Sequence, residues 1–252
     1  MLTAIVLTRN EAQNLPRCLE SLRFCNEVLV IDDNSTDSTV QTAAKFKARV
    51  ITHPLNDDFA AQHNFALSQV KSGWALFVDA DEFVTPKLAQ EITHELKNPQ
   101  YHAYLVNRED IMWGKHLRHG DSHTQLVRLA RVGMGHWSGR VHESWVIDGR
   151  VGELKNLLFH YPHPSLYEFL RKINYYSSLR AQELQELGQK SNLVQIIFYP
   201  MLKFLYLGIW KLGFVDGTAG VICAMAMSFY SLLVRGKLFL GIKHYAPIAS
   251  HN

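Results

Sequence analysis

The sequence predicts an α/β protein: a mostly parallel sheet with flanking helices, then an apolar helical appendage. Three observations lead there. Apolar runs and helix-spaced apolar residues alternate through roughly the first 90 positions, the pattern of successive βαβ units. Two of the runs, ending at Ile31 and Val78, stop abruptly in carboxylates. Past residue 190 the composition turns apolar and aromatic, with isolated cations.

The elements follow in order. Residues 4–7 form a first strand; Met1 to Thr8 lacks a basic leader and a cleavage site, so it reads as a strand and not a signal peptide. Leu15, Cys18, Leu19 and Leu22 recur at helical spacing and predict a helix over 14–23. Residues 27–31 are a second strand, 38–46 a helix, 49–52 a strand and 59–70 a helix. The run Leu76-Phe77-Val78, with Trp74 and Ala75 before it, reads as a strand buried on both faces. Thr85-Pro86 marks the start of the next helix, with a capping hydroxyl followed by a proline in the first turn.

The acidic clusters carry the chemistry. Asp32-Asp33 and Asp79-Ala80-Asp81-Glu82 follow two strands of one parallel sheet, so both lie on the same edge, where open α/β sheets bind ligands. Asp79 and Asp81 are two apart and project to one side of an extended chain. Two neighbouring carboxylates repel unless a cation or a shared proton compensates. Magnesium-like cations take such oxygens and bind substrate phosphates as well, so the pattern implies a metal–diphosphate site. The plainer alternative is a solvated turn with Asp as a helix cap.

Residues 101–159 differ: short β-like runs at 103–106, 125–129 and 144–147 are broken by glycines, and three of the five tryptophans fall here. Aromatic, His and Gly together suit an acceptor-binding region; Trp137 and Trp145 read either as sugar platforms or as core. Helical spacing returns over 165–187. Residues 193–245 hold an apolar run of fourteen at 221–234, with Pro200, Gly208 and a 217–220 glycine turn as breaks. A span needs about 20 residues, so interfacial helices are expected, with one spanning helix or a buried core helix as alternatives.

A net charge of +3 and pI of about 8.7, without a basic stripe interleaved with aromatics, argue against nucleic acid. Cys18, Cys25 and Cys223 have no metal spacing and fit a reducing compartment.

Three motifs now combine. Ile5-Val6-Leu7-Thr8-Arg9-Asn10-Glu11, Val30-Ile31-Asp32-Asp33-Asn34-Ser35-Thr36-Asp37 and Phe77-Val78-Asp79-Ala80-Asp81-Glu82, in that order and spacing, resemble the family 2 glycosyltransferases. Gly139-Arg140-Val141-His142-Glu143, His160-Tyr161-Pro162 and Leu212-Gly213-Phe214-Val215-Asp216-Gly217 resemble a narrower group. That group is the bacterial lipopolysaccharide-core transferases related to β-1,4-glucosyltransferases, and the resemblance covers nearly the whole chain.

The resemblance implies a GT-A (Rossmann-like) domain over 1–190, with nucleotide-sugar binding in 1–100, an acceptor and catalytic region in 101–165, and a membrane-associating helical tail over 191–252. It implies inverting transfer of a sugar, glucose, from UDP-glucose to a lipopolysaccharide-core or lipid-linked saccharide. Thr8, Asn10 and Glu11 would lie near base and ribose, and Asp32 or Asp33 would accept from the uracil N–H. Asp79 would touch ribose or metal; Asp81 would bind Mg²⁺ or Mn²⁺, with His160 completing the shell. Glu143 would be the catalytic base after the 133–139 glycine loop. The family's motif ends Glu-Asp where this chain has His142-Glu143-Ser144, which leaves Asp121 and Glu109 as alternative bases. The expected location is peripheral, on the cytoplasmic face of a bacterial inner membrane. Two other functions stay open: transfer onto a polyprenyl phosphate, and nucleotide binding without catalysis.

Overall fold

The computed structural model describes residues 1–56, 58–139, 143–162 and 165–241, without the side chain of His123. Arg140, Val141 and His142 of the glycine-loop motif, and the tail from residue 242 with Lys243, lie outside the described residues. Two compact units emerge: residues 1–109 with 124–160, and residues 110–123 with everything from Tyr161.

The first unit is built on a sheet whose strands run in the order β3-β2-β1-β4-β8-β6-β11-β5. β1 (Leu2–Thr8), β2 (Glu27–Asp32), β3 (Arg49–Thr52) and β4 (Trp74–Asp79) are parallel. β8 (His123–Arg131) continues the sheet antiparallel to β4. β6 (Ala103–Met112) and β11 (Val151–His160) come next, and β5 (Glu82–Val84) closes the edge antiparallel to β11. β9 (Gly135–Ser138) and β10 (Ser144–Ile147) form a separate hairpin.

Period-two alternation splits the apolar residues between the two faces. Ala4, Val6, Val30, Leu76 and Val78 pack on α1 (Leu15–Ser21) and α4 (Pro86–Glu95). Ile5, Leu29, Ile31, Ala75 and Phe77 face α3 (Phe59–Ser68), with Trp137 and Trp145 in the same cluster. Both faces are covered, which is why these strands are continuous apolar runs. The helices start where their caps require. Asp58 accepts from Ala61 N at α3, and Thr85 accepts from Leu88 N at α4, with Pro86 in the first turn. α2 (Thr39–Lys45) follows the second acidic cluster.

In the second unit β7 (Lys115–Leu117) pairs with the end of β6. α5 (Leu166–Glu186), capped by Ser165, groups with α6 (Leu193–Leu205) and α7 (Gly217–Leu240). A π turn over Tyr206–Trp210 and a 3₁₀ turn over Gly213–Asp216 link the last two helices. Gly208 falls in that link and Gly217 turns the chain into α7, as expected, but Pro200 and Gly220 are not breaks. Pro200 sits inside α6, and α7 runs through Gly220 for 24 residues, about 36 Å at 1.5 Å per residue. A Cβ on Gly220 would stand 1.9 Å from the Gly213 carbonyl, so this glycine serves a close approach of turn and helix. Both 193–210 and 213–240 are long and apolar enough to cross a membrane, which removes the short-run argument against a span.

Candidate active site

Register brings the site together. Thr8 pairs with Asp32 and Leu7 with Asp79, so the ends of β1, β2 and β4 share one edge. Glu82 pairs with His160 across β5 and β11, which carries His160 to Asp81: His160 Nε2 lies 3.5 Å from Asp81 Oδ2, both about 15% exposed. Residues 79 sequence positions apart thus meet through strand pairing.

The loops after β1 and β2 are held by side chains. Asn10, at φ 55°, accepts at Oδ1 from Thr36 N (2.7 Å), while its own N–H donates to Ser35 Oγ (2.9 Å). Asp37 accepts from Ala12 N, Thr39 N and the Thr39 hydroxyl. These bonds more than offset its partial burial and hold its carboxyl below the usual range. Glu11 accepts from Asn14 Nδ2 and its N–H donates to Thr39. Asn10 and Glu11 therefore shape the edge. Asp33 is fully engaged, with Arg9 at 3.0 Å and Leu55 N at 2.9 Å. Asp32 is different: Oδ2 accepts from Ser35 N, but Oδ1 is buried without a partner, as is Thr8 Oγ1. A buried acceptor without a donor is costly and marks a position that suits a ligand N–H.

The third cluster contains a residue the sequence reading missed. Arg128, on β8 and 6% exposed, donates to Asp79 Oδ2 at 2.6 Å and to Glu82 Oε1 at 3.2 Å. Burial alone would lower its pKa, but Asp79, Glu82 and, further down, Glu143 raise it. Burial pushes the Asp79 carboxyl up, yet the Arg128 charge and hydrogen bonds carry it well below the ordinary range. Glu82, wholly buried, moves the other way through burial and the Asp79 charge; it also accepts from Asp79 N at 2.9 Å. Asp79 is therefore spent on a guanidinium, and Asp81 with His160 forms the candidate cation pair. Among the described residues no group of three or more metal-ligating side chains converges. Imidazole and carboxylate fit a divalent ion whose other ligands are water and diphosphate oxygens.

Trp137 and Trp145 are core, about 5% exposed and stacked 5.3 Å apart against Phe77, so the sugar-platform alternative does not hold for them. His63 packs on the same cluster; burial, offset only partly by Phe59 O, lowers its pKa to about 4. Glu143 immediately precedes β10, close enough for its charge to act on Arg128. Of the alternative bases, Asp121 is paired with Lys203 at 2.9 Å in the second unit and Glu109 is buried. Nothing in charge patterning flags Arg128; its partners are 46 and 49 residues away.

A model of glycosyl transferase family 2 matches residues 3–169. The lipopolysaccharide core biosynthesis glycosyltransferase LpsC of Rhizobium meliloti is 30% identical, over 94% of this chain and 92% of its own. An uncharacterized glycosyltransferase of Rickettsia typhi is 26% identical across 100% of this chain and 91% of its own. Residues 1–349 of S. aureus TarS superpose with a TM-score of 0.50 at 15% identity, covering 99% of this chain and 94% of that one. The same TarS fragment solved with UDP-GlcNAc gives 0.50 at 16%, over 92% and 81%. These structures share the GT-A fold with this chain.

Proposed function

The chain belongs to glycosyl transferase family 2, and from that premise we propose that it is an inverting enzyme moving glucose from UDP-glucose to a lipid-linked saccharide of the lipopolysaccharide core. One observation carries the reading. Four strands from separate parts of the sequence bring an unpartnered Asp32 oxygen, the Arg128-bound Asp79, and the Asp81–His160 pair to a single sheet edge. The relative LpsC, named for lipopolysaccharide core biosynthesis, supports the acceptor class, and TarS, solved with UDP-GlcNAc, supports a uridine nucleotide-sugar.

In this reading Asp32 Oδ1 accepts from the base N–H, while Asp33 keeps the β2 end tied to Arg9 and Leu55. Asp81 and His160 would hold Mg²⁺ or Mn²⁺, which when bound offsets the charge that builds on the departing diphosphate. Arg128 keeps Asp79 ionised and fixed beside that pair. Glu143 takes the proton from the attacking hydroxyl on the face opposite the leaving group, so the anomeric configuration inverts. The stretch expected as a glycine loop, 133–139, is mostly the strand β9, Gly135–Ser138, and it is this strand that precedes Glu143. The apolar helices associate the enzyme with the cytoplasmic face of the inner membrane, where a lipid-linked acceptor is presented.

Transfer onto a polyprenyl phosphate is the second reading, favoured by the unbroken 24 residues of α7. The test is an assay of the full chain with Mn²⁺, a panel of nucleotide-sugars, and either deep-rough lipopolysaccharide or polyprenyl phosphate. The expected product is a β-linked glucose on the saccharide. Glu143→Gln is expected to keep UDP affinity and lose at least ~10²-fold in turnover. UDP binding without transfer on either acceptor would leave a non-catalytic nucleotide-binding protein; product on the polyprenyl phosphate alone would establish the second reading.

A further inference from the structure

We infer that the helical unit docks in the plane of an anionic lipid bilayer with α6 as its embedded helix, and that neither α6 nor α7 crosses the membrane. The inference deepens the membrane-surface part of the proposed function and rests on it.

α6 has no buried residue, although its sequence is Leu-Val-Gln-Ile-Ile-Phe-Tyr-Pro-Met-Leu-Lys-Phe-Leu. A water-facing helix hides its apolar stripe against a core; this one shows apolar side chains outward, among them Val194, Ile197 and Met201. The turn beyond it adds Trp210, 81% exposed, and Phe214. Charge names the partner. Between Leu187 and Gly241 the only acid is Asp216, against Lys190, Lys211 and Arg235, besides Lys203, which pairs with Asp121, and the buried Lys237. Asp216 is used internally, accepting from Arg118 N, His119 N and His119 Nδ1. Lys203 and Lys211 lie near the Tyr206 ring, and Arg235 sits 4.5 Å over Tyr199. Apolar surface bordered by aromatics and cations complements anionic headgroups over an acyl layer.

Packing excludes a crossing. α5 runs alongside α7 in the same direction: Phe169 and Ile173 meet Ala219 and Ala226, and further on Ala181 and Leu184 meet Val234 and Leu238. Lys237 Nζ ties the pair by donating to Asn174 O, Ser177 Oγ and Ser178 Oγ at 2.7–2.8 Å. α5 carries Glu168, Arg171, Lys172, Arg180, Glu183 and Glu186. A spanning α7 would take those charges through hydrocarbon or tear its own packing apart. The turn between α6 and α7 is also anchored. Gly120 N donates to Lys211 O, and Arg118 N and His119 N, just past β7, donate to Asp216. That turn stays on the side of the membrane where β7 is.

The test uses the full chain in two measurements. In flotation, vesicles of phosphatidylglycerol and phosphatidylcholine are expected to carry the protein, and phosphatidylcholine alone to carry far less. Lys190→Glu/Lys211→Glu is expected to lower partition by about tenfold or more, and Ile197→Glu/Met201→Glu to abolish it with UDP binding intact. Single cysteines at Leu193 and Phe214 are then probed in inverted and right-side-out membrane vesicles with an impermeant maleimide. Both are expected to react from the cytoplasmic side only. Labelling of Phe214→Cys from the opposite face would establish a span and overturn the inference. So would failure to float combined with self-association that Ile197→Glu/Met201→Glu abolishes, which would make a second copy the occupant. Failure to float without self-association overturns it equally. A transferase assay that fails while flotation succeeds would sink the catalytic reading and leave this one standing.

Discussion

Asn64 and Trp137 exchange two hydrogen bonds: Asn64 Nδ2 donates to Trp137 O, and Trp137 N donates to Asn64 Oδ1, each at 2.8 Å. A single side chain on α3 thereby completes the backbone bonding of β9, the strand ahead of the loop that leads to Glu143.

Asn64→Ala removes both bonds and leaves two backbone groups of a largely buried residue without partners. A loss of about 1–3 kcal/mol in urea unfolding is expected. Turnover is expected to fall while UDP affinity holds, because the nucleotide edge is built elsewhere. Unchanged turnover would show that β9 does not position Glu143.

Arg128→Met takes the guanidinium from Asp79, whose side chain is 36% exposed, and leaves the buried Glu82 with only its 3.5 Å contact to Arg108. Breaking a fully buried pair from one side costs roughly 3–5 kcal/mol, and the exposure of Asp79 and the remaining Arg108 contact put the expected loss below that range. Arg128→Lys keeps a charge but loses the fork that reaches both acids, and is expected to fall in between. Denaturant midpoints of the two variants check the order; equal midpoints would argue that the guanidinium is dispensable.

His63 sets a pH dependence. The unfolded chain takes up this proton near pH 6.5, the folded chain only near 4, so unfolding binds a proton between those values. Stability is full above about 6.5 and declines as pH falls toward 4, by about 3 kcal/mol for a 2.5-unit gap. His63→Gln is expected to flatten that decline. Parallel urea titrations of both proteins at pH 5, 6 and 7 measure it, and an identical slope would rule His63 out.

Asp81→Ala and His160→Ala address the cation directly. With UDP present, Mn²⁺ is expected to raise the melting temperature of the parent chain. Asp81→Ala is expected to lose that rise and His160→Ala to reduce it. Full retention in both variants would remove the metal role from this pair whatever the activity shows.

The sequence made legible what local pattern controls. β1, β2 and β4 are runs buried on both faces and ending in acids, so their existence and their shared edge could be read directly. β11 could not. Its buried Leu154 and Leu158 alternate with Glu153, Lys155 and Asn156, a half-exposed pattern that gives no continuous run. His160 was found through family resemblance, and only the β5–β11 register explains why it faces Asp81. Arg128 was invisible because a charged residue in a strand signals exposure until its distant partners are known. Gly220 was misread because a glycine required for close approach looks, in one dimension, like a glycine required for a turn; Gly217, at φ 70° with open space around it, does turn the chain.

Because Asn10 holds Thr36 and Asp37 holds Ala12 and Thr39, the loops beside Asp32 are tied to one another in the free chain, and under the proposed function a nucleotide meets a rim already formed. Loops that must search for a closed shape delay capture and dilute affinity by the fraction of time spent open. This rim has no such search to complete. Encounter is then governed by diffusion and orientation, and good and poor nucleotides are separated by how long they stay, not by how often they land.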